Sequence, residues 1–481
     1  MKSYRRLVSL LLLAAMLLSS CGKPAGGDDT DPVTEGETTA NEVTESAPDL
    51  PDVTFAGEEF RIMYRHGAHA YNIEDIWVED QNGEVINDAV YERNRALEEK
   101  FKVKITPMPE ASPVKQLSQN VLAGDDFCEI LADRKLELFP LTVQNYAWNL
   151  KELRYIDFDK PWWDTNMAEQ MAIGDSLYMM AGDFNLSSTT GATFIWFNKK
   201  IMTDNGIVMP YKLVNDGKWT IDRMKEMIAA VSGDLNGDGK MSAGDRFGFL
   251  TQVPYRMLSG FGVQMTSRDE TNFPVLRTPD DRMYRSMEII SGIMNDKEHT
   301  ISYDEMASGQ NTSGYPHIYA FGRSKFAENQ LLFFEGGISA ANEFREMTSP
   351  YGIIPMPKLD EDQERYYNLV DEYSTGWVIP SSSAKTEMTD ILLEYMAYAS
   401  SPLVDAVYEI TLKSKRMDSP DDSEMLDLIR ASTLYEITFV MNVGIRQMLE
   451  KAVASGNLAS AFAADKDAIS AKLEGFRPPA D

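Results

Sequence analysis

Cysteine and histidine are scarce in this chain of 481 residues, which holds two cysteines and four histidines. Disulfide-stapled folds need several cysteines, so the body must be held together by its apolar core. The serine-hydrolase pattern GxSxG and the zinc-protease pattern HExxH do not occur in the sequence. We therefore expect a protein that is not an enzyme. A glycosidase-type carboxylate pair stays open, because an acidic chain offers many such pairs.

Basic residues and long apolar runs are also few. The chain has 46 lysines and arginines against 75 aspartates and glutamates, and its formal net charge is −29. Such a charge disfavours nucleic acid and anionic lipid surfaces as partners. The apolar run at residues 7–18 is too short to span a bilayer. We therefore expect neither nucleic acid nor a membrane surface to bind the folded body directly.

The N-terminus has the pattern of a secretory leader, in which a basic stretch precedes the apolar run. The run ends in the letters LSSC, and Cys21 is the last of them. This ending resembles the lipobox of bacterial lipoproteins, whose cysteine is lipidated and becomes the mature N-terminus. An ordinary signal peptide with a chance cysteine is the alternative. We expect residues 1–20 to be the signal peptide and Cys21 to carry lipid.

Residues 21–54 are rich in glycine, threonine, proline and acidic residues and contain almost no large apolar side chains. Such a segment cannot bury enough surface to offset its chain entropy. It is predicted to be a disordered acidic tether that holds a folded body away from a membrane. The expected location is the extracellular face of the cell membrane, with attachment through the lipid anchor.

The folded body opens with alternating strand and helix patterns. Strand-like runs at 59–64, 103–105 and 128–132 alternate with helical runs at 85–101 and 114–121. This β-α-β-α-β order favours a parallel sheet with helices on its faces. Ligands of such sheets bind beyond the carboxyl ends of the strands. The body is also too long for one core, so at least two domains are expected.

The rest of the chain begins another mixed unit and ends in helices. Residues 193–198 are strand-like, and residues 217–231 have the apolar spacing of a helix. The C-terminal third is predicted to be largely helical and includes one long run over 435–454.

The stretch 233–245 reads GDLNGDGKMSAGD, which follows the ligand spacing of a calcium loop. The last position is aspartate, where a bidentate glutamate is usual. A helix precedes the loop and a strand follows it, so there is no second EF-hand helix to open. We expect a structural calcium ion; a regulatory site and an unoccupied acidic turn are the alternatives. The predicted ligands are Asp234, Asn236, Asp238, the Lys240 carbonyl, Ser242 and Asp245.

Several motifs follow one another along the body, namely DFDKPWWD, YMMAGDFNLS, TFIWFNKKIM, DGKWTIDRMKEM and YGIIPMPKLDEDQERYY. Together with the lipobox and the tether, they resemble the extracellular solute-binding proteins of Gram-positive ABC transporters. The likeness is to the carbohydrate-type group, which is similar to maltose-binding proteins and is found in gut clostridia. It runs from about residue 55 to about residue 443. It implies an α/β, two-lobe periplasmic-binding-protein-like fold of type II, with hinge crossings and a central ligand cleft.

The resemblance also implies domains and a function. Lobe 1 would consist of residues 55–182 and 373–430, and lobe 2 of residues 183–372 and 431–481. The protein would be a monomer that captures a sugar or oligosaccharide and delivers it to an ABC transporter permease by lobe closure. A peptide or another polar solute stays open as the ligand. An extracellular glycan-acting hydrolase stays open as a different function.

A sugar site needs flat aromatic faces that cover the apolar side of the ring. Trp377 stands among small residues at the expected return crossing of the hinge and is ranked first as a ligand contact. Trp163, in the letters PWWD, is ranked next. Core packing is the alternative for every tryptophan, and it is the expected role of Trp196 and Trp219.

A sugar site also needs polar groups that bind the hydroxyls. Asp183 and Asn185 fall at the expected first crossing, although both residue types also favour turns. Arg65 ends the first strand, at the edge where a parallel sheet binds ligands. A solvated arginine is the alternative. His66 and His69 could chelate a metal, but a solvated turn is the favoured interpretation.

Overall fold

A computed structural model describes residues 47–67, 75–344, 347–413 and 419–477. The predicted leader, Cys21 and most of the predicted tether lie outside the described residues, as does His69. None of the helices in the described ranges has both the length and the apolar character that crossing a membrane requires.

The described strands, in chain order, are β1 (Glu59–Arg65), β2 (Lys104–Glu110), β3 (Ile130–Arg134), β4 (Phe194–Asn198), β5 (Phe247–Thr251), β6 (Thr266–Arg268), β7 (Pro274–Leu276), β8 (Thr300–Ser302), β9 (Leu331–Gly336), β10 (Tyr351–Ile354), β11 (Asn368–Leu369), β12 (Thr375–Val378) and β13 (Thr433–Leu434). The described α-helices are α1 (Val85–Phe101), α2 (Pro113–Ala123), α3 (Lys135–Val143), α4 (Thr165–Gln170), α5 (Leu186–Thr190), α6 (Lys199–Asp204), α7 (Tyr211–Asn215), α8 (Ile221–Val231), α9 (Pro254–Gly260), α10 (Asp281–Met294), α11 (Tyr303–Ala307), α12 (Ile318–Ala327), α13 (Thr386–Tyr398), α14 (Ser401–Lys413), α15 (Pro420–Ala431), α16 (Ile437–Val440), α17 (Ile445–Ser455) and α18 (Leu458–Glu474). Short 3-10 helices lie at Leu150–Glu152 and Ile338–Phe344.

The opening β-α-β-α-β unit is confirmed. In α1, Val90, Leu97 and Phe101 are buried on one face, as their spacing predicts. The helix α2 begins at Pro113 and ends at Ala123, and its C-cap residue Gly124 has a φ of 76°, which suits a glycine. The strand β1 pairs in parallel with β2 on one side and with β3 on the other.

Two mixed sheets organise the body. The first sheet has the order β12-β3-β1-β2, and β12 joins it antiparallel to β3. The second sheet has the order β10-β4-β9-β5-β8. In the second sheet β5 is parallel to β8 and β9, and β4 is antiparallel to β9. Every residue of β4, β5 and β9 is buried, as expected for strands covered on both faces.

Three extended segments lie side by side where the chain passes between the two sheets. The Thr193 amide donates to the Leu369 carbonyl oxygen at 2.8 Å, and the Asp371 amide donates to the Gly191 carbonyl oxygen at 3.0 Å. On the other side of the central segment, β11 pairs in parallel with β13. We call this narrow connection the hinge, which consists of residues 191–193, 368–371 and 433–434.

The C-terminal helices pack on both sheets. The helix α14 packs against α1 beside the first sheet, whereas α15 packs against β10 of the second. Lys199 Nζ lies 2.7 Å from Asp422 Oδ2 and joins α15 to the start of α6. The predicted lobe boundaries, including the one at residue 430, stay a prediction.

The predicted helical run over 435–454 is wrong as a single element. It is divided into α16 and α17 by Asn442 and Gly444, whose φ angles are 52° and 108°. Glycine reaches positive φ without a steric penalty, and asparagine is among the residues that tolerate it best. These two residues therefore interrupt the helix although the apolar spacing continues past them.

Candidate functional site

The carboxyl ends of strands from both sheets face the hinge. Lys135, directly after β3, donates its amide to the Ser374 carbonyl oxygen at 3.1 Å. Arg256, which follows β5, has its Nη2 atom 3.2 Å from Asp371 Oδ2. Ligands of open α/β sheets bind at such edges, so the space at the hinge is the candidate site.

The charged residues beside the hinge form ion pairs with one another. Arg446, at the start of α17, forms an ion pair with Glu372, and both side chains are almost completely buried. The Tyr255 hydroxyl donates to Glu372 Oε1 at 3.5 Å. Burial raises the pKa of Glu372, the neighbouring Asp371 adds to this rise, and Arg446 opposes it. We call this group the hinge cluster, which consists of Arg134, Arg256, Asp371, Glu372, Tyr373 and Arg446.

Tyr373 is the exposed aromatic residue of the hinge cluster, and 41% of its surface is accessible. The guanidinium carbons of Arg134 and Arg446 lie 5.6 and 5.8 Å from its ring centroid. The Tyr373 amide donates to Asp371 Oδ1 at 2.8 Å and so fixes the turn. The result is an accessible aromatic ring held between two cations.

Trp377 lies in the core, which corrects the prediction that it faces the cleft. It pairs with Ala132 of β3 on one side and with Met180 on the other. Its side chain is fully buried, and its ring centroid lies 4.5 Å from that of Phe184. The indole packs against Phe184, which is itself fully buried, so Trp377 belongs to the core. The letters DEYSTGW do contain an exposed aromatic residue, but it is Tyr373, which precedes the strand.

Trp163 and Asp183 come together in a cavity of about 510 Å³ beside the hinge. The Trp163 Nε1 donates to Glu394 Oε2 at 2.8 Å, which fixes the indole. Asp183 Oδ1 accepts a hydrogen bond from Arg430 Nη2 at 2.5 Å. Burial raises the pKa of Asp183 to about 7, although Arg430 opposes the rise. The cavity is also lined by Pro161, Asp164, Thr165, Asn166, Gly182, Asp427, Ala431 and Thr433.

A chain of side-chain contacts runs from the wall of this cavity to Ser374, which follows Tyr373 in the sequence. Asp164, at the cavity wall, accepts a hydrogen bond from the Tyr435 hydroxyl. The Lys135 ammonium lies 5.1 Å from the Tyr435 ring centroid and also donates to the Ser374 hydroxyl. Burial lowers the pKa of Lys135 to about 8, and Asp371 opposes the fall. The structure thus brings Trp163 and Asp183 together in one cavity, and Tyr373 is not among the residues that line it.

Asn185 and Arg65 are both held by protein partners. Asn185 is fully buried, and its Nδ2 donates to the Thr375 carbonyl oxygen at 2.6 Å. It thus joins the start of α5 to β12 of the first sheet, and it lies outside the hinge crossings. Arg65 ends β1 at the predicted edge, where it forms an ion pair with Asp133 of β3. Its Nη1 also donates to the Ala111 carbonyl oxygen at 2.7 Å.

The calcium-like loop 233–245 lies at the opposite edge of the second sheet. It leads into the amino end of β5, and its Gly244 carbonyl oxygen accepts a hydrogen bond from Gln330 at 3.0 Å. Gln330 directly precedes β9. Because β5 and β9 are parallel, the loop lies at their amino ends, whereas Arg256 follows the carboxyl end of β5.

The carboxylates of this loop accept hydrogen bonds from its own backbone. The two Asp234 oxygens accept from the Gly237 and Gly239 amides at 2.6 and 2.7 Å, and Asp245 accepts from the Leu235 amide at 2.9 Å. Oxygen donors suit a hard cation. In the described ranges, however, no group of three or more acidic, histidine or cysteine side chains is arranged to hold a metal ion. A calcium ion bound by the predicted ligands therefore stays a prediction.

Solved structures with a similar fold extend over most of this chain. One is the maltose/maltodextrin-binding domain MalE from Bdellovibrio bacteriovorus bound to maltotriose (TM-score 0.53, 13% identity, 87% of this chain and 99% of that chain). Another is an ABC substrate-binding protein from Listeria monocytogenes in complex with cycloalternan (TM-score 0.54, 12% identity, 88% and 100%). A third is UspC from M. tuberculosis (TM-score 0.55, 13% identity, 86% and 100%). No protein-family model and no curated protein sequence matches the chain.

The predicted two-lobe, type II periplasmic-binding-protein-like fold is confirmed. The expected likeness to carbohydrate-type solute-binding proteins of ABC transporters is confirmed as a likeness of fold. Two of these three proteins are named for a role, and both are binding proteins.

Proposed function

We propose that this protein is the substrate-binding lipoprotein of an ABC transporter, which captures a sugar or oligosaccharide outside the cell and delivers it to the permease. One observation supports this most: an accessible tyrosine and paired charges meet at a narrow hinge between two sheets. The fold is shared with proteins in complex with maltotriose and cycloalternan.

The hinge cluster has the chemistry that a sugar requires. The Tyr373 ring can stack on the apolar face of a pyranose, while carboxylates and guanidinium groups bind its hydroxyls. Arg134 is the last residue of β3 in the first sheet, whereas Arg256 lies in α9, which follows β5 of the second sheet. A ligand that contacts both sides stabilises the closed arrangement of the lobes over the open one.

A glycan array followed by thermal-shift and small-angle scattering measurements tests this proposal. We expect a glycan to raise the melting temperature and to reduce the radius of gyration, because both lobes close on it. The same measurements with short peptides address the alternative ligand. Stabilisation by peptides alone would contradict the choice of a sugar. Glycan turnover that is abolished by mutating one carboxylate would instead establish the hydrolase.

Membrane attachment through lipid on Cys21 has a separate test. Two acyl chains anchor a protein stably, so Cys21→Ala should move the protein from the membrane to the soluble fraction. Cys128→Ala is the matched control, since that thiol is buried in the body and should not affect attachment. If Cys21→Ala still fractionates wholly with membranes, the lipid anchor is wrong.

A further inference from the structure

An exposed aromatic group lies at the same edge of the second sheet as the hinge cluster. The helix α11 begins directly after the carboxyl end of β8, and α12 then runs back toward the amino end of β9. The first residues of α12 therefore lie at the carboxyl edge of the sheet. His317 is exposed there, and 37% of the surface of Tyr319 is accessible. We call Tyr315, His317 and Tyr319 the outer rim.

Tyr303, which directly follows β8, anchors the outer rim to the second sheet. Its buried ring contacts Tyr319 edge-on, with 5.1 Å between the centroids. Burial raises the pKa of Tyr303, Arg323 and Arg256 oppose the rise, and Glu335 adds to it. A Cβ atom at Gly322 of α12 would also lie 3.3 Å from the Leu250 side chain of β5, so α12 packs on the strand that leads to Arg256.

The outer rim is held in place by local packing. His317 Nδ1 accepts from the Ala320 amide at 3.0 Å and caps α12. The Tyr315 ring lies edge-on to Phe321, with 5.2 Å between the centroids. A Cβ atom at Gly322 would lie 2.5 Å from the Tyr303 ring, so a glycine is needed for that ring to pack on α12. An aromatic group fixed in this way loses little side-chain entropy when a ligand stacks on it.

A single exposed tyrosine on a surface needs no explanation. Tyr284 of α10 is such a case, since 41% of its surface is accessible and no aromatic neighbour contacts its ring among the described residues. Tyr319 differs, because it contacts both Tyr303 and His317, with 5.8 Å between its centroid and that of His317. It also stands at the edge where ligands of such sheets bind.

We infer that Tyr319, with His317 and Tyr315, forms an outer subsite for the distal units of an oligosaccharide whose first units occupy the hinge cluster. This inference rests on the proposed function and makes it more specific, because the receptor would then prefer oligosaccharides to monosaccharides. Stacking of one further sugar ring on Tyr319 should raise the affinity about tenfold, which corresponds to about 1.4 kcal/mol.

Calorimetric titration with sugars of increasing length tests the outer subsite. The first probes are linear malto- and manno-oligosaccharides together with glucose and mannose, and the series is then built on whichever glycan the array identifies. We expect affinity to rise with chain length in the parent protein. In Tyr319→Ala, affinity should no longer increase with chain length, whereas the affinity for the shortest ligand should stay unchanged. Tyr319→Phe should keep the rise, and Tyr284→Ala serves as the matched control on an exposed tyrosine.

The outcomes separate this inference from the proposed function. Equal affinity of the parent protein for short and long oligosaccharides would overturn the outer subsite. The proposed function as a sugar receptor would still hold. Equal weakening of short and long ligands by Tyr319→Ala, with the melting temperature unchanged, would also overturn it. Failure of the parent to bind any glycan would contradict both proposals.

Discussion

The two edges of the second sheet carry acidic residues in very different settings. At the amino edge, Asp234 binds amides three and five residues further along the chain, and the turn is largely exposed. At the carboxyl edge, Arg256 meets an aspartate 115 residues away, and Arg446 meets a glutamate 74 residues away. The first arrangement is a sequence motif because its partners are local. The second has no motif because only the fold brings its partners together.

The largest loss of stability is expected from a substitution in the core, away from both edges of the second sheet. Trp377→Ala removes a fully buried indole, and such truncations typically cost about 3–5 kcal/mol of unfolding free energy. Denaturant unfolding measures this loss, with Tyr373→Ala as the control. If Trp377→Ala kept native stability but lost glycan affinity, Trp377 would be a ligand contact in the cleft and not a core residue.

Calcium removal distinguishes the two edges directly. If the loop binds calcium only in the folded state, a hundredfold excess over Kd adds about 2.7 kcal/mol of stability. Chelation should then lower the melting temperature while glycan affinity stays within a few-fold, since the loop lies away from the hinge cluster. Asp238→Asn should reproduce the effect, and Asp222→Asn, on α8 outside the loop, is the control. Loss of glycan binding in chelator, with the fold intact, would place calcium in the function.

Truncation of Tyr373 tests the carboxyl edge. Loss of an aromatic face that stacks on a sugar should weaken glycan binding about ten- to hundredfold, at about 1.4 kcal/mol per decade. The melting temperature should change little, because 41% of the residue is accessible. Titration of Tyr373→Ala and Tyr373→Phe measures the effect, and the phenylalanine variant should retain most of the affinity. Unchanged binding by Tyr373→Ala would exclude the ring as a ligand contact.

The smallest effect is expected in the cavity that contains Asp183. Its folded pKa of about 7 lies above the unfolded value of about 3.9, so the folded state holds this proton more tightly. The contribution of Asp183 to the unfolding free energy therefore decreases as the pH rises from about 4 through 7. Because its partner Arg430 is 40% exposed, we expect a loss of only about 1 kcal/mol.

Melting curves at pH 5 and pH 8 measure this loss. Asp183→Asn cannot titrate, so its stability should depend less on pH than that of the parent. Asp427→Asn, which removes an exposed carboxylate of the same cavity, should behave like the parent. Equal pH dependence in the parent and in Asp183→Asn would contradict a raised pKa at Asp183.

Patterns that depend on neighbouring residues were predictable from the sequence. The spacing of Val90, Leu97 and Phe101 is sufficient to predict α1, because helical faces repeat over a few residues. The buried roles of Trp196 and Trp219 also followed from their places in a strand and at a helix start, and both are fully buried.

The site could not be predicted in the same way. Tyr373 and Trp377 are four residues apart, and only packing against distant residues such as Phe184 determines that Trp377 is the buried one. The partner of Arg446 depends on the break at Gly444, which the apolar spacing over 435–454 conceals. Sheet pairing and positive φ angles are settled by tertiary contacts, which residue spacing does not report.

Hydrogen exchange measured by mass spectrometry, with and without the glycan that the array identifies, tests the central claim most directly. The claim is that the ligand binds at the carboxyl edge of the sheets, where the hinge closes. We predict slower exchange with glycan in peptides that cover residues 252–256, 335–338, 368–373 and 442–446. Peptides that cover residues 233–245 should exchange at the same rate in both states. Protection confined to 233–245, or bound glycan without protection at the hinge, would contradict the account.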